Sequence, residues 1–370
     1  MSRNTLLTSP SPTDEPDLGR LSSARVVVTG GAGFIGSRLV DRLLELGADV
    51  LALDNFDPFY PRTVKQANLQ LARSRHVTRF RLIEADLRDG AALERHLREF
   101  RPDLVAHLAA KAGVRPSLES PADYFDTNVV GTIRLLDALK HLDTLEESGR
   151  GPRLVFASSS SVYGDRRHDD PHQGFVETDP IDRPVSPYAA SKASAELAVR
   201  AFHHARTLRL RQINPDAPPI PTIILRFFTA FGPRNRPDLA LAKFARLIRE
   251  GRPVPMFGDG STERDYTYVD DLVDGVVRAL VFEPSPQSSQ EVEVFNLGHS
   301  EPVRLSTMID TLAAALGRPA RIERLPEQPG DVGRTRADIR RARSLLGWSP
   351  VTSFEEGVTH FVEWLKSLDA

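Results

Sequence analysis

The chain contains no cysteine, which excludes disulfides, thiolate nucleophiles and cysteine-held metals. It also lacks a field of one sign. Its 48 basic and 50 acidic residues leave a formal charge of -2, so nothing global attracts nucleic acid or an anionic membrane. No apolar run approaches membrane-spanning length. The first 23 residues, rich in proline and polar groups, have neither an apolar h-region nor a basic amphipathic pattern. A disordered tail is expected there, and no signal peptide or anchor. What remains is 40% hydrophobic and 26% charged, an ordinary globular mixture. At 370 residues it suffices for one large domain or two joined ones. No metal, nucleic-acid or membrane partner is expected, and a cytoplasmic location is.

From Arg25 onward, short β-branched runs alternate with helical stretches. RVVVTG, DVLALD, FRLIEAD, LVAHLAA, RLVFASS and PTIILRFF read as strands apolar on both faces. Helical spacing fills the intervals, as in FIGSRLVDRLLELGA. Alternation of this kind predicts an α/β fold with a doubly wound parallel sheet, Rossmann-like, whose ligands lie beyond the carboxyl ends of the strands. Residues 24–228, with 267–298 returning to them, are assigned to that dinucleotide domain. Residues 229–266 and 299–370, with their Pro/Gly-rich loops, form a smaller α/β lobe over the strand ends. Thr207–Pro219 shows no sustained period and reads as a surface insertion.

Gly30, Gly33 and Gly36 fall between the first strand and the first helix. Such glycines permit a tight turn, let the backbone approach a pyrophosphate, and allow close helix–sheet packing, with free N–H groups at the helix start. Asp54 ends the second strand, where a carboxylate takes both ribose hydroxyls and repels a 2′-phosphate. NAD is therefore expected over NADP. The alternative use of Asp54 is as a turn cap. Asp86 ends the third strand and reads equally as part of an adenine pocket or as a turn residue.

Tyr188 and Lys192 are four apart in a helical stretch and so share a face. A tyrosine titrates at about 10, too high for a base near neutrality unless an adjacent ammonium favours the phenolate. The serine run Ser158–Ser161 follows the strand RLVFA, so its hydroxyls reach the carboxyl edge, where one can assist proton transfer to Tyr188. Without those neighbours, a Tyr/Lys pair of this spacing is equally a solvated helix face.

TGGAGFIG, SSSSVYG, SPYAASK, LRFFTAFGPRNRPD, FGDGSTERDYTYVDD and QPGDVGRTRAD together resemble the extended short-chain dehydrogenase/reductase family, in its nucleotide-sugar epimerase branch. The likeness runs from about Arg25 to the C-terminus. Within the branch, HLAAKAGVRPSLESP and RFFTAFGPRNRPD are most similar to UDP-glucuronate 4-epimerases. This resemblance implies an enzyme that interconverts UDP-glucuronic and UDP-galacturonic acid through a transient 4-keto sugar, with NAD as cofactor. It makes Tyr188 the base, Lys192 its partner and Ser159 the hydroxyl beside the sugar 4-OH. The dinucleotide contacts it implies are Gly30, Gly33, Phe34, Ile35, Gly36, Asp54, Asn55, Asp86, Leu87, Leu108, Ala109, Ala110 and Lys192. For the UDP-sugar it implies Ser160, Ser161, Thr229, Arg236, Val254, Phe257, Arg264 and Asp331. A homodimer through helices including the one after Tyr188 is implied as well. Gln328 departs from relatives that carry a second phosphate-binding arginine there.

Three positions separate the branch's chemistries. The 4,6-dehydratases carry Asp-Glu where this chain has Ser160-Ser161, and UDP-glucuronate decarboxylases carry Glu at the position of Ser161. Galactose epimerases usually carry Asn where Thr229 stands. Arg236 suits a sugar carboxylate, which it can pair bidentately; its alternative is a solvent-exposed loop arginine. Arg264 resembles an arginine that grips the diphosphate, or else pairs with Glu263 or Asp265. Rival readings are a 4-epimerase of UDP-glucose or UDP-N-acetylglucosamine, a decarboxylase, and a non-catalytic NAD-binding regulatory protein.

Overall fold

The computed structural model describes residues 16–142, 151–165, 173–215, 219–284, 292–326 and 332–369. Its strands are β1 (Arg25–Thr29), β2 (Asp49–Asp54), β3 (Phe80–Glu84), β4 (Leu104–His107), β5 (Arg153–Ser159), β6 (Thr222–Phe227), β7 (Thr229–Phe231), β8 (Val254–Phe257), β9 (Glu263–Tyr268), β10 (Glu293–Leu297), β11 (Pro302–Arg304) and β12 (Ile322–Leu325). The six apolar runs of the sequence are β1 to β6. With β10 they form a seven-stranded sheet in the order β10-β6-β5-β4-β1-β2-β3, parallel at every pairing. The chain therefore moves outward from β1 to β3, then crosses back to β4 on the other side of β1. This reversal opens a crevice beyond the carboxyl ends of β1 and β4.

Both faces of the sheet are covered, which is why its strands read as continuous apolar runs rather than alternating ones. Val26, Val28, Val50 and Ala52 join one core with the helices Phe34–Glu45 and Val269–Val281. Val27, Leu51, Leu53 and Val105 face the other, with Gly90–Phe100, Gly131–Leu142 and Pro187–Ile213. The last of these helices starts as its sequence dictates: the Ser186 hydroxyl caps Ala189 N–H at 3.1 Å and Pro187 takes the first turn.

After β6 the chain builds a smaller lobe from the sheet β11-β9-β7 and the pair β12-β8. Phe231 packs against Tyr266, Tyr268 and Phe354 in its core. Asp265, with no exposed surface, accepts the N–H groups of His299 (2.6 Å), Ser300 (2.9 Å) and Ala337 (2.8 Å). This ties β9 to the loop after β10. No helix among the described residues is long and apolar enough to cross a membrane.

Two expectations are corrected. The tail does not extend to residue 23: Leu18–Leu21 form a 3-10 turn capped by Asp17, and Leu21 is fully buried in the core. Residues 1–15 lie outside the described ones. Thr207–Pro219 is not an insertion throughout, because helix Pro187–Ile213 runs through its first half. The buried face there is made of His203, Arg206, Thr207 and Leu210, so a hydropathy period is absent although the packing is real. Leu210 closes on Ile220, and Arg206 Nη1 donates to the Pro152 carbonyl at 2.8 Å. Residues 216–218 of that stretch lie outside the described ones.

Candidate active site

A cleft of about 470 Å³ lies over the carboxyl edge of the sheet, between the crevice and the lobe. Gly30, Gly33, Phe34, Ile35 and Gly36 form its floor. Gly30 has φ +70°, and a Cβ there would fall 2.9 Å from the Ala109 backbone, so only glycine fits this turn. A Cβ on Gly36 would fall 2.1 Å from the Gly30 carbonyl oxygen, which measures how closely helix Phe34–Glu45 is set against the turn. Gly33 precedes that helix and no side chain caps it. First-turn N–H groups thus face the cleft with the positive end of the helix dipole, a cradle suited to a pyrophosphate.

At the end of β2 the Asp54 carboxylate is held by Ala32 N–H (3.0 Å) and Phe56 N–H (2.8 Å), with Lys65 Nζ at 3.8 Å. Asp54 is thus a turn cap that also lines the cleft. Asn55, Leu87, Leu108, Ala109 and Ala110 line the same end of the cleft. Asp86 does too, with Asn55 Nδ2 donating to it at 2.9 Å and Arg88 bridging it to Asp126. The Arg88 hydrogen bonds hold the Asp86 carboxyl well below the usual carboxylate range.

Ser159 ends β5, and its Oγ accepts from Ser161 N–H at 3.2 Å, starting the 3-10 turn Ser160–Tyr163. Ser159, Ser160, Ser161, Tyr188 and Lys192 all line the cleft. Burial pushes the Tyr188 phenol above its ordinary value, opposed by a hydrogen bond with Ser159 and the charge of Arg236. Lys192 is buried, donates to the Ala157 carbonyl and lies 4.5 Å over the Phe156 ring. Burial brings its ammonium down to about 8, opposed by Glu196. Arg236, to which the sequence reading gave no such role, thus adds a positive charge that acts on the phenol.

Thr229 and Arg236 enter the cleft from the lobe. Arg236 is not a free fork: Nε and Nη2 donate to Asp238 at 3.0 and 2.6 Å, Nη2 also to the Ala112 carbonyl at 3.2 Å, and Phe59 lies under it at 5.0 Å. A sugar carboxylate would meet Nη1 or displace Asp238. Three expected ligand contacts stay apart from the cleft walls. Val254 is fully buried in the lobe. Phe257 packs under Arg115 at 5.0 Å. Arg264 Nη1 donates to the Glu263 carbonyl at 2.9 Å, while the Glu263 carboxylate pairs with Arg304 and Arg334, so the expected pairing of Arg264 with Glu263 or Asp265 side chains does not form. Gln328 and Asp331 lie outside the described residues.

Several residues behind the cleft escaped the sequence reading. Thr132 Oγ1 donates to the Asn128 carbonyl (2.6 Å), so it accepts from His107 Nε2 (2.9 Å); His107 Nδ1 then accepts from Thr29 Oγ1 (2.7 Å). Fully enclosed, this imidazole is neutral, its pKa lowered to about 3 by burial and by the charge of Lys192. Asn128, in the π-turn Asp126–Val130, bonds both backbone groups of Lys111 and the Ser191 hydroxyl at 2.7–2.9 Å. Ser191 in turn donates to the Tyr188 carbonyl at 2.8 Å. Helix Pro187–Ile213 is thereby fixed to the ends of β1 and β4. A polar residue inside an apolar run, as His107 is in LVAHLAA, was the available signal. Lys65 and Asn68, on the short helix Arg62–Asn68, press on the glycine turn and Asp54.

A doubly wound sheet with a glycine-rich phosphate cradle, an acid at the end of β2 and a Ser/Tyr/Lys group at the carboxyl edge defines the class of dinucleotide-dependent Rossmann enzymes. More narrowly, the chain belongs to the NAD dependent epimerase/dehydratase family, whose profile matches residues 26–298. It is 38% identical over 354 residues to a probable UDP-glucuronate 4-epimerase of Rhizobium meliloti (strain 1021), covering 92% of this chain and 96% of that protein. Its structure resembles that of UDP-glucuronic acid 4-epimerase from Bacillus cereus, solved with UDP-glucuronic acid and NAD. The TM-score is 0.79 at 33% identity, over 93% of this chain and 99% of that one. UDP-glucose 4-epimerase from Thermotoga maritima, solved with UDP-glucose, matches with TM-score 0.79 at 29% identity over 94% and 100%. The fold is therefore shared across substrates, and the cleft residues must decide among them.

Proposed function

We propose that this protein is an NAD-dependent 4-epimerase interconverting UDP-glucuronic acid and UDP-galacturonic acid. The observation that carries this reading is the meeting of Ser159, Ser160, Ser161, Tyr188, Lys192, Thr229 and Arg236 in one cleft, with hydroxyls at 160 and 161 where dehydratases and decarboxylases carry acids. Relatives of the whole chain named for this activity support it.

The glycine cradle of Gly30, Gly33 and Gly36 would hold NAD, which would supply the hydride acceptor and donor for C4 of the sugar. Tyr188 takes the 4-OH proton and gives it back, with the Ser159 hydroxyl placed to bridge sugar oxygen and phenol. Lys192 holds its positive charge beside them and is positioned to bond a ribose hydroxyl. The 4-keto sugar turns about its link to the diphosphate between the two transfers. Oxidation at C4 also puts a ketone β to the C6 carboxylate, an arrangement that favours loss of CO2. Thr229, Arg236 and the hydroxyls of Ser160 and Ser161 suppress that loss by holding the carboxylate out of alignment with the carbonyl, whereas a Glu at 161 would repel it.

Purified enzyme given UDP-glucuronate should form UDP-galacturonate as the main product, read by anion-exchange chromatography and NMR. UDP-xylose or a 4-keto pentose in excess would make it a decarboxylase. Faster conversion of UDP-glucose or UDP-N-acetylglucosamine would make it an epimerase of neutral sugars.

We also assign the enzyme to the cytoplasm as a homodimer. Helices Pro121–Phe125, Gly131–Leu142 and Pro187–Ile213 leave Phe125, Ile133 and Leu197 exposed, Leu197 by 62%, an apolar strip that a second copy would cover. Sedimentation velocity should give twice the 41.0 kDa chain mass; a monomer at micromolar concentration would end this assignment.

A further inference from the structure

Glu196 has no exposed surface and lies one turn beyond Lys192 on the catalytic helix. Its carboxylate accepts from Arg226 Nε (3.0 Å) and Nη2 (2.9 Å) on β6 and from Ser158 Oγ (2.5 Å) on β5. Arg226 is fixed in turn: Nη1 donates to the Tyr163 hydroxyl and to the Glu177 carbonyl, each at 3.0 Å, and its plane lies 4.8 Å over the Tyr163 ring. Tyr163 donates to Asn296 Oδ1 at 2.6 Å. Taking two such charges out of water is repaid only by close geometry and further hydrogen bonds, which this pair has, and removing one partner strands the other.

Three consecutive residues at the end of β5 meet three successive turns of the helix. Ser159 lies against Tyr188 in the cleft, the Ala157 carbonyl takes Lys192, and Ser158 takes Glu196. Glu196 thus closes the set on the side away from the cleft. Its negative charge also acts on Lys192, opposing the effect of burial there. The other ionisable groups around that ammonium bring none: His107 from β4 is neutral, Arg226 from β6 is positive, and Tyr188, a protonated phenol, has the cationic Arg236 beyond it.

We infer that Glu196 is a positioning residue for the catalytic pair, its buried carboxylate keeping the Lys192 ammonium charged and locking the end of β5 to the helix that carries Tyr188. The role rests on the epimerase reading only where Lys192 is used as a cation in turnover. Without Glu196, burial acts on Lys192 unopposed, and its proton is lost at lower pH.

The test uses Glu196→Gln, which keeps the shape, and the double variant Glu196→Gln/Arg226→Met, which also removes the cation that the single variant leaves buried and unpaired. Competitive labelling of Lys192 with acetic anhydride, read by mass spectrometry against pH, follows its titration without calling on activity. In folded Glu196→Gln the midpoint should fall by roughly one to three units, the range of one close opposite charge, and in the double variant by a smaller amount, because the cationic Arg226 leaves with the carboxylate. The alkaline limb of the kcat profile should move the same way, with KM little changed. Should the single variant fail to fold, the double variant decides. An unchanged labelling midpoint in either folded variant overturns the inference and leaves Glu196 a packing residue. A shifted midpoint in a protein that turns out not to convert UDP-glucuronate upholds the inference and removes the substrate assignment instead.

Discussion

Replacing Tyr188 by Phe is expected to lower kcat for UDP-glucuronate by roughly 10²–10⁴-fold, the range for a positioned acid–base group, while bound NAD is retained. Phenylalanine preserves the ring and its edge contact with Tyr124, whose centroid lies 6.2 Å away. It removes only the hydroxyl that meets Ser159. Fold, cofactor content and KM should therefore stay close to wild type. The pH profile carries a second signature. A base must shed its proton, so the rate rises with pH through the Tyr188 titration, which burial sets above the ordinary tyrosine value in the free protein. Lys192 must keep its proton, so the rate falls as pH passes the Lys192 titration, about 8 in the same state. In that state the two groups titrate in the wrong order for turnover, and ligands in the cleft must bring them together. Tyr188→Phe should remove the rising limb and leave the falling one. Retention of more than a tenth of wild-type kcat would place the base elsewhere in the cleft.

The parts of this design visible in the sequence are those carried by local pattern. Strands β1 to β6 are short, apolar and bounded by turn residues because both faces of the sheet are buried. The glycine turn, Asp54 and the Tyr188/Lys192 spacing are likewise local, and the fold brings all of them to one cleft. Side-chain pairings left no such trace, whether between near neighbours or across the fold. Asp238 takes the Arg236 fork two residues away, yet spacing alone does not tell an internal partner from a vacant one. The last turns of helix Pro187–Ile213 were missed because their inner face is His203, Arg206 and Thr207, polar side chains satisfied across the fold rather than apolar ones. Leu21 is hidden among polar neighbours in the same way, a single buried side chain in a stretch of unremarkable composition.

Gly36→Ala should produce the second large effect, on the cofactor rather than the chemistry. The added Cβ would sit 2.1 Å from the Gly30 carbonyl oxygen, 2.9 Å from its carbon and 3.1 Å from Gly31 Cα. All three are backbone atoms of a turn held by Gly30 N–H to the Leu53 carbonyl at 2.7 Å, so no flexible side chain can yield. Helix Phe34–Glu45 must instead back away from β1, opening the core beneath Leu39 and Leu43. Overpacking of this kind costs about 1–3 kcal/mol, and the same displacement carries the first-turn N–H groups away from the phosphates. The variant is expected to unfold at lower urea concentration and to purify largely without NAD. Gly333→Ala, where a Cβ meets nothing within 4 Å, serves as the comparison and should match wild type in both measurements. Because bound NAD itself stabilises the folded state, unfolding must be followed at zero and saturating NAD. A deficit already present at zero NAD means that the helix shift has damaged the core as well as the cradle. A deficit that appears only with NAD present confines the damage to cofactor affinity. Wild-type NAD content and an unchanged urea midpoint together would mean that the turn relaxes at no cost, and that the close approach of helix and strand at Gly36 is not what builds the phosphate site.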